Sequence, residues 1–172
     1  MPRLSRGVCR VSGLNILKGS GTSGRDAKNR FAIPSGMRPF LREAGDGKAF
    51  SIALADDKPC AMAFRADHIE TMLARVEREA AEALERRLPY DRDMKLTNLF
   101  GTLDDVLIDT AGRFSLPASV RDHCEITDGI LFIGVVDYIQ IWSVDKVLEQ
   151  PGLSNALKDA ARRFIEQRGA AQ

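Results

Sequence analysis

Two stretches of the chain share one pattern: DAKNRFAIPSGMR at residues 26–38 and DTAGRFSLPASVR at residues 109–121. The Asp, Arg, Phe, Pro and final Arg recur at identical spacing, 83 positions apart. A weaker echo follows each copy, because FRADHI at residues 64–69 is similar to WSVDKV at residues 142–147. A repeat of this kind indicates one supersecondary unit that is used twice.

The residues around each copy predict mainly strands. Residues 30–33 alternate in polarity and are stopped by Pro34, which predicts a short strand and a turn. Two pairs of apolar runs surround polar turns, and each pair predicts a hairpin. The runs are residues 49–54 with 60–64 and residues 129–135 with 138–142. Short strands in this order favour a small β-barrel or a pseudo-symmetric sheet, with helices, over a βαβ fold.

Apolar residues at helical spacing predict two longer helices. The first begins at Asp67, with Glu70 in a capping-box position, and ends before Pro89. A polar link then leads into the second copy, a short helix follows over residues 143–149, and an amphipathic helix begins near Leu153. Residues 1–24 predict an irregular arm with at most one strand. The predicted units are a basic arm (1–16), a first repeat with its helix (17–95), a second repeat (96–149) and a C-terminal helix (150–172).

Charge is distributed unevenly along the chain. Residues 1–42 hold nine Lys/Arg and one acid, whereas residues 43–172 hold sixteen Lys/Arg and twenty-three acids. A basic segment of this kind favours an anionic partner such as nucleic acid, and the alternative is a solvated arm without a partner.

The sequence gives little support for a catalytic, cofactor-binding or metal-binding motif. GSGTSG at residues 19–24 has the spacing of a dinucleotide fingerprint, but a strand and Pro34 follow it where that motif needs a helix. His68 and His123 lie in no recognisable nucleophile motif, and His123 beside Cys124 indicates a surface imidazole and a buried thiol. We therefore expect no cofactor, no metal and no enzyme activity. The three scattered cysteines and the absence of a long apolar run favour a cytoplasmic protein.

The repeated Asp-x-x-x-Arg carries the functional prediction. An Asp four residues before an Arg predicts an ion pair across a turn, so Asp26 and Asp109 are expected to structure their loops. Basic side chains crowd the first copy, and Arg forks suit phosphate oxygens and the guanine edge. The alternative is that Asp and Arg only lock each half to itself. The predicted DNA-binding residues are Arg25, Lys28, Arg30, Arg38 and Arg113.

At these residues the chain resembles the MraZ family of bacterial transcription regulators, whose hallmark is a doubled D-x-x-x-R followed by a strand and Pro. LFG at residues 99–101, FIG at 132–134 and IQIW at 139–142 add to the resemblance. The similarity runs from about Leu17 to Glu149. Asn29 stands where the family usually has Gly, and Asn tolerates positive φ better than most residues. Ala111 stands where a polar or charged residue is common.

The resemblance implies a double-split, swapped-hairpin barrel of two AbrB-like units that assembles into a homo-oligomeric ring, with eight subunits expected. It further implies a nucleoid-associated regulator that binds double-stranded DNA at tandem short repeats. Those repeats lie upstream of the division and cell-wall gene cluster, the regulator's own gene included. A second hypothesis is an AbrB-type antitoxin that binds a protein partner. The doubled motif and short tail argue against it, because such antitoxins usually carry one motif and a long unstructured tail.

Overall fold

The structure, a computed structural model, describes residues 7–11, 14–42 and 49–170 and has a mixed β and α fold. Its strands are β1 Gly7–Val11, β2 Leu14–Lys18, β3 Ser20–Gly24, β4 Arg30–Ala32, β5 Ala49–Leu54, β6 Cys60–Phe64, β7 Asp104–Leu107, β8 Arg113–Ser115, β9 Gly129–Val135 and β10 Tyr138–Ser143. Its helices are α1 Arg38–Arg42, α2 Ile69–Glu85, α3 Arg92–Gly101, α4 Ala118–His123, α5 Val144–Glu149 and α6 Asn155–Gly169. A single 3₁₀ turn, Ala66–His68, precedes α2.

The central sheet has six antiparallel strands in the order β3-β9-β10-β6-β5-β7. Strands β3, β9 and β10 are equivalent by the sequence repeat to β7, β5 and β6. The strand order therefore reads the same from either edge of the sheet. The strand that precedes each loop pairs with the hairpin of the other half: β3 with β9, and β7 with β5. The two halves therefore share one sheet, as the pseudo-symmetry of the sequence predicts.

A separate two-stranded sheet joins the repeated motifs directly. Strands β4 and β8 are antiparallel, and Phe31 stands opposite Phe114. Both rings are buried, with their centroids 6.4 Å apart. Phe114 also packs edge-on against Phe50 and Phe132, at 5.2 and 6.2 Å between centroids. These aromatic contacts anchor both repeats in one apolar core.

The two faces of the central sheet pack against different parts of the molecule. Ala61 and Ile141 point toward the core that contains Phe31 and Phe114. The alternate residues of the same strands, such as Met62 and Trp142, meet the helices on the opposite face. Successive side chains of a strand point to opposite faces, so the sheet separates the motif core from the helical layer.

The structure differs from the sequence-based predictions in several elements. The strand pairings among the described residues form open antiparallel sheets rather than a closed barrel. Part of the predicted irregular arm forms a hairpin, β1 with β2. The predicted polar link contains α3, whose first turn is capped by the Asp91 carboxylate at 2.9 Å from the Met94 nitrogen. The swapped-hairpin arrangement implied by the resemblance stays a prediction.

The predicted capping box at the start of α2 does not form. No side chain caps this helix, and Asp67 instead accepts a hydrogen bond from Arg65 at 2.9 Å. The predicted apolar stripe is only partly buried, because Met72 and Val76 are covered whereas Leu84 is 80% exposed. The helix ends at Glu85. Just beyond it, Arg87 adopts a φ of 54°, and the Leu88 N–H donates a hydrogen bond to the Ala83 carbonyl. Within the described residues, no helix combines the length and apolar character needed to cross a membrane.

Candidate nucleic-acid interface

The first loop, residues 25–29, is organised by the carboxylate of Asp26. Its Oδ1 accepts hydrogen bonds from the backbone N–H groups of Lys28 and Arg30, both at 2.9 Å. Its Oδ2 accepts from Nε and Nη2 of Arg30 at 3.0 and 2.8 Å. The Asp26 N–H donates to the Arg30 carbonyl, which closes the turn. The Asp26 carboxylate therefore binds both the backbone and the guanidinium of Arg30.

The second loop, residues 108–112, repeats this arrangement around Asp109. Oδ1 of Asp109 accepts from the backbone N–H groups of Ala111 and Arg113, both at 2.9 Å, and Oδ2 accepts from Arg113 Nε at 2.8 Å. The Asp109 N–H donates to the Arg113 carbonyl. The same five-residue spacing thus produces the same turn twice.

The two loops are also joined to each other. Arg30 Nη1 donates to Asp109 Oδ2 at 3.2 Å, so one guanidinium contacts both loop carboxylates. The hydrogen bond from the backbone N–H of Arg30 is the largest influence that lowers the pKa of Asp26. The N–H of Arg113 has the same effect on the pKa of Asp109. Both carboxylates are therefore held in the charged form.

One residue in each loop has a left-handed backbone. Asn29 has a φ of 58° and the equivalent Gly112 has a φ of 78°. Gly and Asn are the residues that adopt this region most readily, which accounts for Asn29 in place of the usual Gly. The N–H groups of both residues donate to the carbonyl of the loop Asp, at 3.0 and 2.9 Å. The substitution at position 29 is therefore compatible with the turn.

The remaining basic residues of the first copy lie in three different environments. Arg25 is bound to Asp128 at 2.9 Å and to Asn29 Oδ1 at 3.3 Å. Arg38 is half-buried, and its Nε donates to the Ile33 carbonyl at 2.8 Å. Lys28 is exposed, and no carboxylate of the described residues lies within ion-pair distance of its ammonium. Lys28 is thus the uncompensated positive charge of the first loop.

Arg113 is more available to a ligand than Arg30. The side chain of Arg113 is 44% exposed, and within the described residues its one hydrogen bond runs from Nε to Asp109. The side chain of Arg30 is 24% exposed, and three of its N–H groups are bound to carboxylates. A guanidinium has five N–H donors. Two of them in Arg30 and four in Arg113 therefore have no hydrogen-bond acceptor among the described residues.

Sequence reasoning missed two residues that support the first loop. Asp128 binds Arg25, and its carbonyl accepts from Arg168 Nη1 of α6 at 2.8 Å. The Ser23 hydroxyl accepts from the Ala32 N–H at 2.8 Å. Both contacts join distant segments, and no motif around them indicates their role.

The described cysteines and both histidines lie in different environments. Cys60 and Cys124 are buried free thiols, and burial raises the pKa of each to about 12. His123 is exposed, as predicted, and His68 is buried against the Phe64 ring with 5.4 Å between centroids. No group of His, Cys, Asp and Glu within the described residues could hold a metal ion.

Comparison with known proteins identifies the relatives of this arrangement. A family model described as "MraZ protein, putative antitoxin-like" matches residues 99–147, which include the second loop. A protein of Pseudomonas syringae pv. syringae named transcriptional regulator MraZ is 28% identical over 155 residues, 90% of this chain and 93% of the relative. At that coverage the alignment includes both loops. The chain is similar to MraZ proteins over about 90% of its length.

Other MraZ relatives match over a similar extent. A transcriptional regulator MraZ of Parvibaculum lavamentivorans is 27% identical over 84% of this chain and 91% of its own length. One from Pseudomonas putida is 28% identical over 87% of this chain and 99% of its own length. The MraZ resemblance stated from the doubled motif is therefore confirmed.

Proposed function

We propose that this protein is a sequence-specific DNA-binding transcription regulator that presents its paired loops to double-stranded DNA. The observation that carries the proposal is the junction of the two repeated motifs. Strands β4 and β8 pair, and Arg30 contacts the carboxylates of both loops. Two loops with matching turns are therefore joined side by side. The relatives named transcriptional regulators support the assignment.

The basic residues of this surface have different proposed roles. Lys28 provides an unpaired point charge for a phosphate. Arg113 provides a half-exposed guanidinium with free donors, which suits a phosphate or a guanine edge. Arg30 holds the loops together and has two remaining donors for DNA. Arg25 and Arg38 contribute positive potential from positions fixed by Asp128 and by the Ile33 carbonyl.

We place the target sites upstream of the division and cell-wall gene cluster, including the promoter of this protein's own gene, at tandem short repeats. One subunit offers few base and phosphate contacts, too few for tight specific binding by itself. A homo-oligomeric ring, with eight subunits as the family expectation, would present several identical loop pairs to successive repeats. Avidity would then supply affinity without new contacts.

The central sheet supports head-to-tail assembly. Within the described residues it ends in β3 on one side and in β7 on the other, and no further strand covers either edge. The β7 edge carries Asp104, Asp105 and the exposed Leu107, whereas the β3 edge is SGTSG. Two different edges on one chain favour a heterologous contact, and such contacts close into a ring when the rotation permits.

Fluorescence anisotropy tests the proposal. Labelled DNA from upstream of the protein's own gene is titrated at two salt concentrations, with scrambled DNA of equal length and composition as the control. We expect tight, salt-sensitive binding to the upstream DNA and much weaker binding to the scrambled duplex. Equal affinity for both duplexes would contradict sequence-specific recognition.

A second candidate function is that of an antitoxin that binds a protein toxin. The description of the family model, which contains the words antitoxin-like, favours it. The doubled loop argues for the first function. Pull-down from the native host with tagged protein separates the two, because an antitoxin would retain one stoichiometric protein partner in the absence of DNA.

A further inference from the structure

The helical layer borders a cavity, partly open to solvent, on the sheet face opposite the paired loops. Helices α2 and α3 form one wall, and strands β6 and β10 form the other. The cavity has a volume of about 370 Å³. Small-molecule sites in proteins occupy a similar range, roughly 300–1,000 Å³, and are mostly apolar with few polar groups.

Apolar side chains form part of the lining of this cavity, and charged side chains form the rest. Met62, Phe64 and Tyr138 line the sheet side, and Met72 and Val76 line the α2 side. Methionine side chains adjust their shape readily, and aromatic rings offer flat contact surfaces. This combination suits a compact molecule with an aromatic or short alkyl body.

Tyr138 and Gln140 are the polar side chains that β10 contributes to the cavity. Gln140 accepts a hydrogen bond from Trp142 Nε1 at 3.0 Å. Because indole N–H is a donor only, the atom of Gln140 that accepts must be its amide oxygen. The amide nitrogen of Gln140 therefore carries two donors, and no acceptor among the described residues contacts them. A carbonyl or ether oxygen on a ligand would satisfy this group.

Most charges at the cavity are paired. Lys95 is bound to Asp56 at 3.0 Å, and Arg75 is bound to Asp137 at 3.1 Å. Glu79 accepts a hydrogen bond from Tyr90 at 3.0 Å. An anionic ligand would have to break an ion pair and would face the charged Glu79 carboxylate, so the cavity disfavours an anion.

We propose that this cavity is a binding site for a small uncharged molecule that has an apolar body and one hydrogen-bond acceptor directed at Gln140. The site is separated from the paired loops by the sheet, because Met62 and Gln140 alternate with the residues that face the motif core. Ligand and DNA could therefore be bound at the same time. The proposal is independent of the target sequence of the protein.

Fluorescence titration with Prodan tests the site, because this uncharged dye combines a naphthalene body with a carbonyl acceptor. We expect saturable binding of one dye per chain, with a blue-shifted emission. Val76→Trp should abolish saturable binding by filling the cavity, and Leu99→Trp serves the same purpose from α3. Gln140→Leu should weaken binding about two- to tenfold, the worth of one neutral hydrogen bond.

Leu84→Ala is the matched control, because Leu84 lies on α2 but is 80% exposed. Circular dichroism checks that each variant is folded. Unchanged dye affinity in the folded Trp variants, or loss of binding in Leu84→Ala, would overturn the proposal. Dye binding that disappears as the protein is concentrated would also overturn it, because a second copy would then occupy the cavity.

Discussion

Arg30 of the first loop donates a hydrogen bond to Asp109 of the second loop, with 3.2 Å between Nη1 and Oδ2. The same guanidinium binds Asp26 through Nε and Nη2. The reciprocal contact, from Arg113 to Asp26, does not occur in the described part of the chain. The pseudo-symmetric motif is therefore asymmetric at its centre, and this asymmetry gives Arg30 a positioning role that Arg113 lacks.

We predict that Arg30 and Asp109 are energetically coupled. Residues in direct contact show non-additive mutational effects. The double variant Arg30→Ala/Asp109→Ala should lose less in melting temperature than the sum of the two single variants, because each single variant already removes the shared contact. Thermal unfolding followed by circular dichroism measures the cycle. The matched cycle of Arg113→Ala with Asp26→Ala, two residues that do not contact each other, should show a smaller coupling, and equal coupling in both cycles would contradict the direct contact.

The second prediction concerns pH. The folded-state pKa values of Asp26 and Asp109 are lowered by hydrogen bonds from backbone N–H groups and from Arg. A lowered folded pKa contributes stability that is fully present above the ordinary aspartate value, near 3.8, and is lost as pH falls through the lowered value. We expect the melting temperature of the wild type to fall steeply below about pH 4, and that of Asp109→Asn to fall less.

The role of Asp109 also separates stability from DNA affinity. An acid that faces phosphate would repel it, so a direct contact between Asp109 and DNA is not expected. Asp109→Ala should lower the melting temperature by several degrees while the folded fraction retains most of its affinity for DNA. An Asp109→Ala protein of wild-type stability that no longer binds DNA would show that the division of roles is wrong.

The third prediction concerns Gly112, whose backbone is left-handed. Gly112→Ala should destabilise the protein by about 1–2 kcal/mol, the cost of a left-handed conformation for an ordinary L-residue. The added Cβ would also lie 2.5 Å from Arg38 Nε. Gly112→Asn places a Cβ at the same point but tolerates the backbone better, so it should cost less. Chemical denaturation measures both, and equal losses would assign the cost to the Arg38 contact instead.

The sequence predicts those strands and hairpins whose limits are set by residues close to them in the chain. Strand β4 ends before Pro34, and the two hairpins surround polar turns, as the sequence indicates. Helix α3 was missed because its polar surface lacks a clear apolar stripe and none of its residues is buried. The contact of Arg30 with Asp109 spans 79 positions, and it depends on the pairing of β4 with β8. No local propensity encodes that pairing.

The fourth prediction concerns Lys28. Lys28→Ala should weaken DNA binding and reduce the salt slope by about one for each subunit that contacts a phosphate. The melting temperature should not change, because only the backbone of Lys28 bonds within the loop. Lys58→Ala is the matched control, since Lys58 lies beyond the far end of β5, about 20 Å along the strand from the second loop. An equal slope change in both variants would point to a general charge effect.

The fifth prediction is that tight binding requires the ring. Light scattering at micromolar concentration should give a closed oligomer, with eight subunits as the expected size. DNA with several repeats should bind about 10²–10⁴-fold more tightly than DNA with one repeat, because the other loop pairs of a bound ring contact neighbouring repeats in an intramolecular step. Insertion of about 5 base pairs between repeats turns neighbouring sites to opposite faces of the duplex and should remove most of this gain. A monomer that still binds tandem repeats tightly, or affinity that is insensitive to the insertion, would refute the role of avidity.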